Sequence, residues 1–259
     1  MKGVKILNDM YKMIFKRKSF HQFPQTEENI TEKELAKINE KITQLTPLVK
    51  DITVKVKIVP ATEITNPRHA EYCLLFYSEK KDNYLTNIGY LGEQLDLYLP
   101  SLNIGTLWLG MSKPQELTYE GLDYVIMIAI KKVSEDMFRK NMFKSERKEI
   151  TEIWQNYNYL EIANIVRFAP SACNSQPWFV ESSEKELKVY RYKKPGKSGI
   201  MPEEKITYFN KIDIGIFLLV LEVCLKKHNL SYQRKTYVDN NTVEEMTLIA
   251  KYQLKSKIM

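Results

Sequence analysis

The sequence is poor in the residues that build cross-linked or metal-bound folds. Its 259 residues hold three cysteines, Cys73, Cys173 and Cys224, and no Cys-x-x-Cys pair. Neither a disulfide framework nor a zinc ribbon is expected, and a reducing compartment fits. The three histidines, His21, His69 and His228, are too scattered to imply a metal cluster. No Walker A or Gly-x-Gly-x-x-Gly pattern occurs, which argues against a nucleotide triphosphatase and a dinucleotide-fingerprint dehydrogenase. Long apolar runs are also missing. The longest, Ile214 to Leu225, is interrupted by Glu222. As a helix it spans about 18 Å, against the roughly 30 Å of a bilayer core. It reads as a buried core helix. The first ten residues have no apolar h-region, so the expectation is a soluble, cytoplasmic protein without a membrane partner.

What is present is an ordinary globular composition, 44% hydrophobic and 27% charged, which excludes a disordered or low-complexity chain. The length fits one large domain or two small ones. Lys and Arg number 39 against 32 Asp and Glu, a net charge of +7. The basic residues are interleaved with acids, as in Ser78-Glu79-Lys80-Lys81-Asp82, and the densest cluster is only Lys16-Arg17-Lys18. This pattern fits a solvated surface with a local anion site, not a nucleic-acid face.

Periodicity gives the elements. Residues 5–15 and 31–45 have helical spacing, the second opening on Thr31-Glu32-Lys33-Glu34 as cap and acidic first turn. Ile52 to Val59 alternates as a half-buried strand, and Tyr72 to Tyr77 and Tyr124 to Ile130 read as apolar strands. Asn87 to Leu102 reads as a long helix. In the second part, Ile150 to Phe168 reads as one helix, Ala169 to Pro177 as a loop and Glu186 to Tyr192 as a strand. Residues 195–204 read as a loop and Lys211 to His228 as a long core helix, and Leu230 to Tyr237 and Met246 to Leu254 have strand character.

The order of elements recurs. Asn87 through Ile104 can be laid without gaps on Asp213 through Leu230, so that Gly89 meets Gly215 and Asn103 meets Asn229. Two related halves are expected, residues 1–148 and 149–259, with the boundary in the charged stretch 131–149. The expected fold class is α+β, each half a small sheet packed by helices around the two long helices.

Three strings carry candidate chemistry. Arg17-Lys18-Ser19-Phe20-His21-Gln22-Phe23 gathers cations, a hydroxyl and an imidazole, a set able to wrap a phosphate. Ala169-Pro170-Ser171-Ala172-Cys173-Asn174-Ser175-Gln176-Pro177-Trp178 is a rigid loop whose Ser171, Asn174 and Gln176 suit the edge of a polar heterocycle. Leu102 through Gly110 follows the first long helix. There Gly105 can act as a helix stop and Gly110 can let a ligand approach the backbone.

Together these strings resemble the FMN-dependent nitroreductase family, and most closely its TM nitroreductase subgroup. The first looks like the family's Arg-x-Ser-x-Arg-x-Phe motif. The second is similar to its Ala-Pro-Ser-x-x-Asn-x-Gln-Pro-Trp loop. Gly89 to Gly110 resembles its core helix and Gly-x-Gly-x-x-Trp-x-Gly segment, with Asn103 in place of the first Gly. The order departs from the usual pattern. The slot after the second helix holds Thr46-Pro47-Leu48-Val49-Lys50, and the good loop occurs only in the second half. That half has no clean phosphate motif, and Arg139-Lys140-Asn141, in the boundary stretch before it, is at best a remnant.

The resemblance implies a fused pseudo-dimer with one composite FMN site, monomeric or associating further. Arg17, Lys18, Ser19 and His21 would contact phosphate and ribityl chain. Pro170, Ser171 and Asn174 would line the flavin from the other half, and Leu109 and Gly110 would offer backbone groups near its reactive nitrogen. Lys144 and Arg147 carry over as late basic residues at the phosphate. His21 replaces a usual Arg or Lys. An imidazole is mostly neutral above about pH 6.5, so weaker, more pH-dependent FMN binding is expected. The implied function is an oxidoreductase passing electrons from NAD(P)H through FMN to a nitroaromatic, quinone or similar small electrophile. No catalytic side chain is needed, because the flavin carries the chemistry. The alternative is a non-catalytic flavin- or ligand-binding descendant.

Overall fold

The computed structural model describes residues 10–192, 202–240 and 246–256. Helix α1 covers residues 10–16 and α2 covers Glu32–Thr43. The cap of α2 is as read: Thr31 accepts from Glu34 N while the Glu34 carboxylate accepts from Thr31 N at 2.9 Å. Strands β1 (Val54–Pro60), β2 (Tyr72–Ser78), β3 (Ile104–Leu109), β4 (Thr118–Tyr119) and β5 (Leu122–Lys132) form an antiparallel sheet. Its order is β1-β2-β5-β3, with β4 paired to β5. Strands β6 (Trp154–Gln155), β7 (Trp178–Ser182), β8 (Glu186–Tyr192), β9 (Leu230–Thr236) and β10 (Met246–Ser256) form a second sheet, ordered β6-β7-β8-β10-β9. The β6–β7 pair is parallel and the others antiparallel.

Two buried helices, α3 (Tyr84–Asp96) and α6 (Glu203–Lys227), pack against each other at the centre. Every residue of α3 from Leu85 to Asp96 is buried. The helix is shorter than its periodicity implied. Pro100 cannot extend it, lacking an N–H and clashing with the carbonyl four residues back, and the chain continues as a 3-10 turn, Leu99–Leu102. Asn103, with φ 54°, takes the left-handed turn. Gly105 is therefore not the helix stop. It lies inside β3, where a Cβ would come 2.8 Å from the Phe20 ring.

The gapless match of the two long segments has a spatial counterpart. A Cβ on Gly89 would run into the carbonyl oxygen of Ile212, and one on Gly215 into that of Thr86. Thr86 and Ile212 correspond at the same spacing, each one residue before the matched segments. Asn103 and Asn229 both adopt left-handed backbone, at φ 54° and 58°. Asp96 and Glu222, also matched, are both buried acids paired with arginines, Arg17 and Arg234.

One expected helix breaks into three pieces. Ile150 to Phe168 becomes α4 (Ile150–Ile153), β6 and α5 (Leu160–Val166). Trp154 and Gln155 pair with Val180 and Glu181, and Asn156, Tyr157 and Tyr159 turn at positive φ. Tertiary strand pairing overrides helical periodicity here. Helix α6 begins at Glu203, before the expected Lys211. Residues 5–9 and most of the 195–204 loop fall outside the described residues. No described helix is long and apolar enough to cross a membrane.

Candidate active site

Segment 17–21 is pinned along the edge of β3. Ser19 bridges Thr106, and Phe20 N donates to Thr106 O at 3.0 Å. The 169–177 loop approaches from the other side. It is held by Asp213 of α6, whose Oδ1 accepts from Ala172 N at 3.0 Å, and by its own Ser171 Oγ, which accepts from Gln176 N at 3.0 Å. Between segment and loop lies a cleft of about 320 Å³. Ser19, His21, Leu107, Trp108, Gly110 and Met111 line one side, together with Ile126 of β5. Pro170 to Cys173 and, on α6, Phe209, Ile212, Asp213 and Ile216 line the other. The walls are mainly apolar, with hydroxyls at the rim. A second cavity of about 310 Å³ shares the His21, Trp108 and Gly110 wall and adds Asn66, Arg68 and Ser112. None of its lining residues is acidic.

Behind Trp108 lies a buried polar cluster. Asp96 Oδ2 accepts from Arg17 Nε at 2.7 Å and from Trp108 Nε1 at 3.0 Å, and Asp96 Oδ1 accepts from Thr106 Oγ1. Arg17 Nη2 donates to Ser19 Oγ at 2.9 Å. Asp96 thus fixes a cleft wall (Trp108) and, through Arg17, a cleft hydroxyl. Glu93, one helical turn earlier, is fully buried and neither of its oxygens has a donor. Burial first, and then the neighbouring Asp96, hold its carboxyl well above the usual carboxylate range. These influences favour the protonated carboxyl, whose one O–H can be shared with Asp96 while the other oxygen accepts from no described donor.

Arg17 also has cationic neighbours. Burial lowers Arg139 to about 10, and repulsion from Arg17 adds to it. Arg147 is likewise lowered to about 10 by burial, then by Arg139, Arg17 and Arg167. Arg139 N donates to Lys16 O at 3.1 Å, so Arg139 joins the first string. Its guanidinium makes no hydrogen bond or ion pair with a described residue. Among the described residues Arg147 donates only to neutral oxygens: Glu146 O at 2.7 Å, Asn174 Oδ1 at 3.0 Å and Phe168 O at 3.3 Å. Among the described residues, Asp96 is the acid paired with this group of like charges, through Arg17, and the excess of positive charge is the electrostatic profile of an anion site.

The expected site residues therefore divide. Ser19, His21, Gly110, Pro170 and Ser171 line the cleft, and Leu109 lines the adjoining cavity. Gly110 carries the Phe209 ring, 2.5 Å from where a Cβ would be. Arg17, Arg147 and Asn174 stand just outside the cleft, Asn174 bonded to Arg147. Lys18 faces Met137 O at 3.1 Å, and Lys144 is exposed on a 3-10 turn. Trp108, Arg139, Phe209 and Asp213 were not among the expected site residues. Arg139 had a sequence signal, in Arg139-Lys140-Asn141, but on the wrong side of the expected arrangement.

The matched place on the other side of the helix pair is filled. Continued at the same spacing, the sequence match pairs Trp108 with Arg234. Its guanidinium donates to Glu222 Oε1 and to Leu48 O, and lies over the Tyr90 ring. Tyr90, Tyr232 and Tyr252 complete the Glu222 shell at 2.8, 2.5 and 2.9 Å. Asn87, matching Asp213, accepts from Leu48 N and Val49 N at 2.8 and 3.0 Å.

An α+β fold of two sheets around a central helix pair, with a mainly apolar cleft and an arginine cluster beside it, defines the class. Residues 9–224 match the family model described as "Putative TM nitroreductase", and the chain belongs to that family. Membership supports an oxidoreductase role. Among solved structures, one described as a putative nitroreductase from Thermotoga maritima superposes with a TM-score of 0.60 at 18% identity. It covers 95% of this chain and 92% of its own. A nitroreductase family protein from Clostridium difficile gives a TM-score of 0.44 at 11% identity, over 57% of this chain and 98% of its own. No curated protein matches the sequence.

Proposed function

We propose that the protein is an FMN-dependent oxidoreductase, taking electrons from NAD(P)H and passing them to a nitroaromatic, quinone or similar small electrophile. The observation that carries this reading is one mainly apolar cleft flanked by Arg17, Arg139 and Arg147. The residues present fit the cofactor. A cleft of about 320 Å³ is on the scale of ring-binding sites, roughly 300–1,000 Å³. The Arg139 guanidinium, without a hydrogen bond or ion pair among the described residues, suits a phosphate. When bound, the flavin supplies reversible uptake and release of hydride.

The chain's own residues would do the rest. Leu107, Trp108, Ile212 and Ile216 would enclose the ring and exclude water. Ser19, His21 and Ser171 would hydrogen-bond at the rim, and Asn66 and Arg68 in the adjoining cavity would meet a polar edge. Arg139 and Arg147 would hold the phosphate, joined by Arg17 to the extent that Asp96 leaves it free. We read residues 1–148 and 149–259 as fused halves of a pseudo-dimer with one working site, the other closed by Arg234 and Glu222. Three free cysteines accord with a cytoplasmic setting.

Two features favour the second reading, a ligand-binding descendant without turnover: Phe209 lies on Gly110, and Asp96 engages Arg17. The deciding experiment is FMN titration followed by NAD(P)H oxidation. One FMN per chain with turnover supports the enzyme, one FMN without turnover supports the descendant, and no binding rejects both flavin readings.

A further inference from the structure

The Phe209 ring stands between the cleft and Gly110. It is buried and lines the cleft from α6, on the same helix face as Ile212 and Ile216. A Cβ on Gly110 would lie 2.5 Å from Phe209 Cε1 and 2.7 Å from Cζ, so the ring takes the space over the Gly110 α-carbon. A ligand ring reaching the Gly110 backbone needs that same space, and close-packed atoms cannot share it.

The backbone beneath the ring is fixed, while the ring itself is not tied. Phe209 lies inside α6, and the neighbouring Tyr208 OH donates to Val125 O of β5 at 2.8 Å. The Phe209 ring meets the Tyr208 ring edge-to-face, with centroids 5.3 Å apart. A phenylalanine side chain has no donor or acceptor, so turning it to another rotamer breaks no hydrogen bond of its own.

The other half of the molecule secures the same junction differently. At the spacing of the matched segments, Phe209 corresponds to Asn83 and Met111 to Tyr237. Asn83 Nδ2 donates to Tyr237 O at 2.9 Å, and Asn83 Oδ1 accepts from Asp239 N at 3.0 Å. Two directional bonds thus clasp the helix start to the chain leaving β9 on the closed side. On the cleft side the same place holds an aromatic ring resting on a glycine, and Met111, next in the chain, is 58% exposed. Lys205, one turn before Phe209, meets Met111 through a 4.0 Å contact of Nζ with Sδ. One junction is locked by hydrogen bonds, and the other opens by a rotamer step.

We propose that Phe209 is the gate of the cleft: its ring closes on Gly110 and swings aside to admit a flat heteroaromatic ring, and its bulk decides how readily that ring enters. The inference rests on the flavin reading above. The closed form cannot place a ligand on Gly110, so apparent affinity and entry rate both fall by the open fraction. Because the gate meets the ring system and not the phosphate, FMN and riboflavin are delayed alike.

The test is stopped-flow binding of FMN and of riboflavin to the full chain as wild type, Phe209→Leu and Phe209→Ala, with thermal melting of each to confirm folding. For an open fraction of about 10%, Phe209→Ala should bind both flavins about tenfold faster, with Phe209→Leu in between. Val220→Ala, a buried truncation farther along α6 and outside the cleft lining, should stay within about twofold of the wild-type rate. A wild type that takes up flavin only when Phe209 is truncated would support the gate in its tightest form. Unchanged rates in both Phe209 variants would overturn the proposal, as would an acceleration confined to FMN or one that Val220→Ala reproduces. Those outcomes defeat the gate alone, in chains that bind flavin. If neither the wild type nor Phe209→Ala takes up either flavin, the parent reading fails and the gate falls with it.

Discussion

Gly89 and Gly215 admit each other's helix: each α-carbon lies against a carbonyl of the opposite helix, Ile212 for Gly89 and Thr86 for Gly215. Both obstacles are backbone, so neither can swing aside. Overpacking ordinarily costs about 1–3 kcal/mol, and Gly89→Ala or Gly215→Ala should reach or exceed the top of that range. Denaturant midpoints would measure it. Because the helices separate the two sheets, both variants should also loosen the cleft and weaken ligand binding. A Gly89→Ala protein of wild-type stability would mean that the helices can part at little cost.

The arginines should be separable by ligand. Arg139→Ala and Arg147→Ala remove charge that no described acid balances, so each should weaken FMN about tenfold while changing riboflavin, which lacks the phosphate, far less. Arg17→Ala should behave differently. It strands Asp96 in the interior, a loss of about 3–5 kcal/mol in stability when a buried pair is broken. Thermal melting alongside fluorescence titration with both flavins distinguishes a binding defect from a folding defect.

Buried acids set the pH dependence of stability. Glu93 has a folded-state pKa raised above its unfolded value, so the folded state binds the extra proton. The stability this represents is complete below about pH 4.5 and is lost as pH rises toward the folded value. Asp213 adds the same sign between about 4 and its folded value of about 8. Glu93→Gln keeps a hydrogen-bond donor for Asp96 and does not titrate. Its unfolding free energy should therefore fall less steeply between pH 5 and 8 than that of the wild type. Urea denaturation across that interval checks it, and an equal slope in both proteins would show that Glu93 does not hold the proton.

Much of this arrangement is local and could be read from the chain. The Thr31 cap, the alternation of Glu186 to Tyr192 and the apolar Tyr72 to Tyr77 run each report their own backbone state. The Arg17 and Pro170 strings bring Ser19, His21 and Ser171 to one cleft. What stayed hidden depends on partners distant in sequence. Trp154 leaves the helical pattern only because β7 is there to pair with it. Arg139 looked like a remnant of a second motif, yet its position beside Arg17 comes from how residues 133–149 fold back. Asp213 reads as one more polar residue on a core helix, and only its burial beside the cleft singles it out.

The closed side of the molecule yields the last prediction. Arg234 fills the position matching Trp108, and its guanidinium satisfies Glu222 and Leu48 O together. A ring entering there would have to displace a buried ion pair whose acid also receives three tyrosine hydroxyls. One FMN per chain is therefore expected, even at saturating cofactor. Arg234→Ala should not open a second site, because Tyr90, Tyr232 and Tyr252 remain on Glu222. It should instead destabilise the chain by about 3–5 kcal/mol by leaving a buried carboxylate without its cation. Glu222→Gln combined with Arg234→Met removes both charges and should recover much of that loss, since replacing a buried pair by neutral groups is often close to neutral. Equilibrium dialysis gives the stoichiometry and denaturation the stability. Two FMN per wild-type chain would show that the Arg234 network yields to ligand and that both halves of the molecule work.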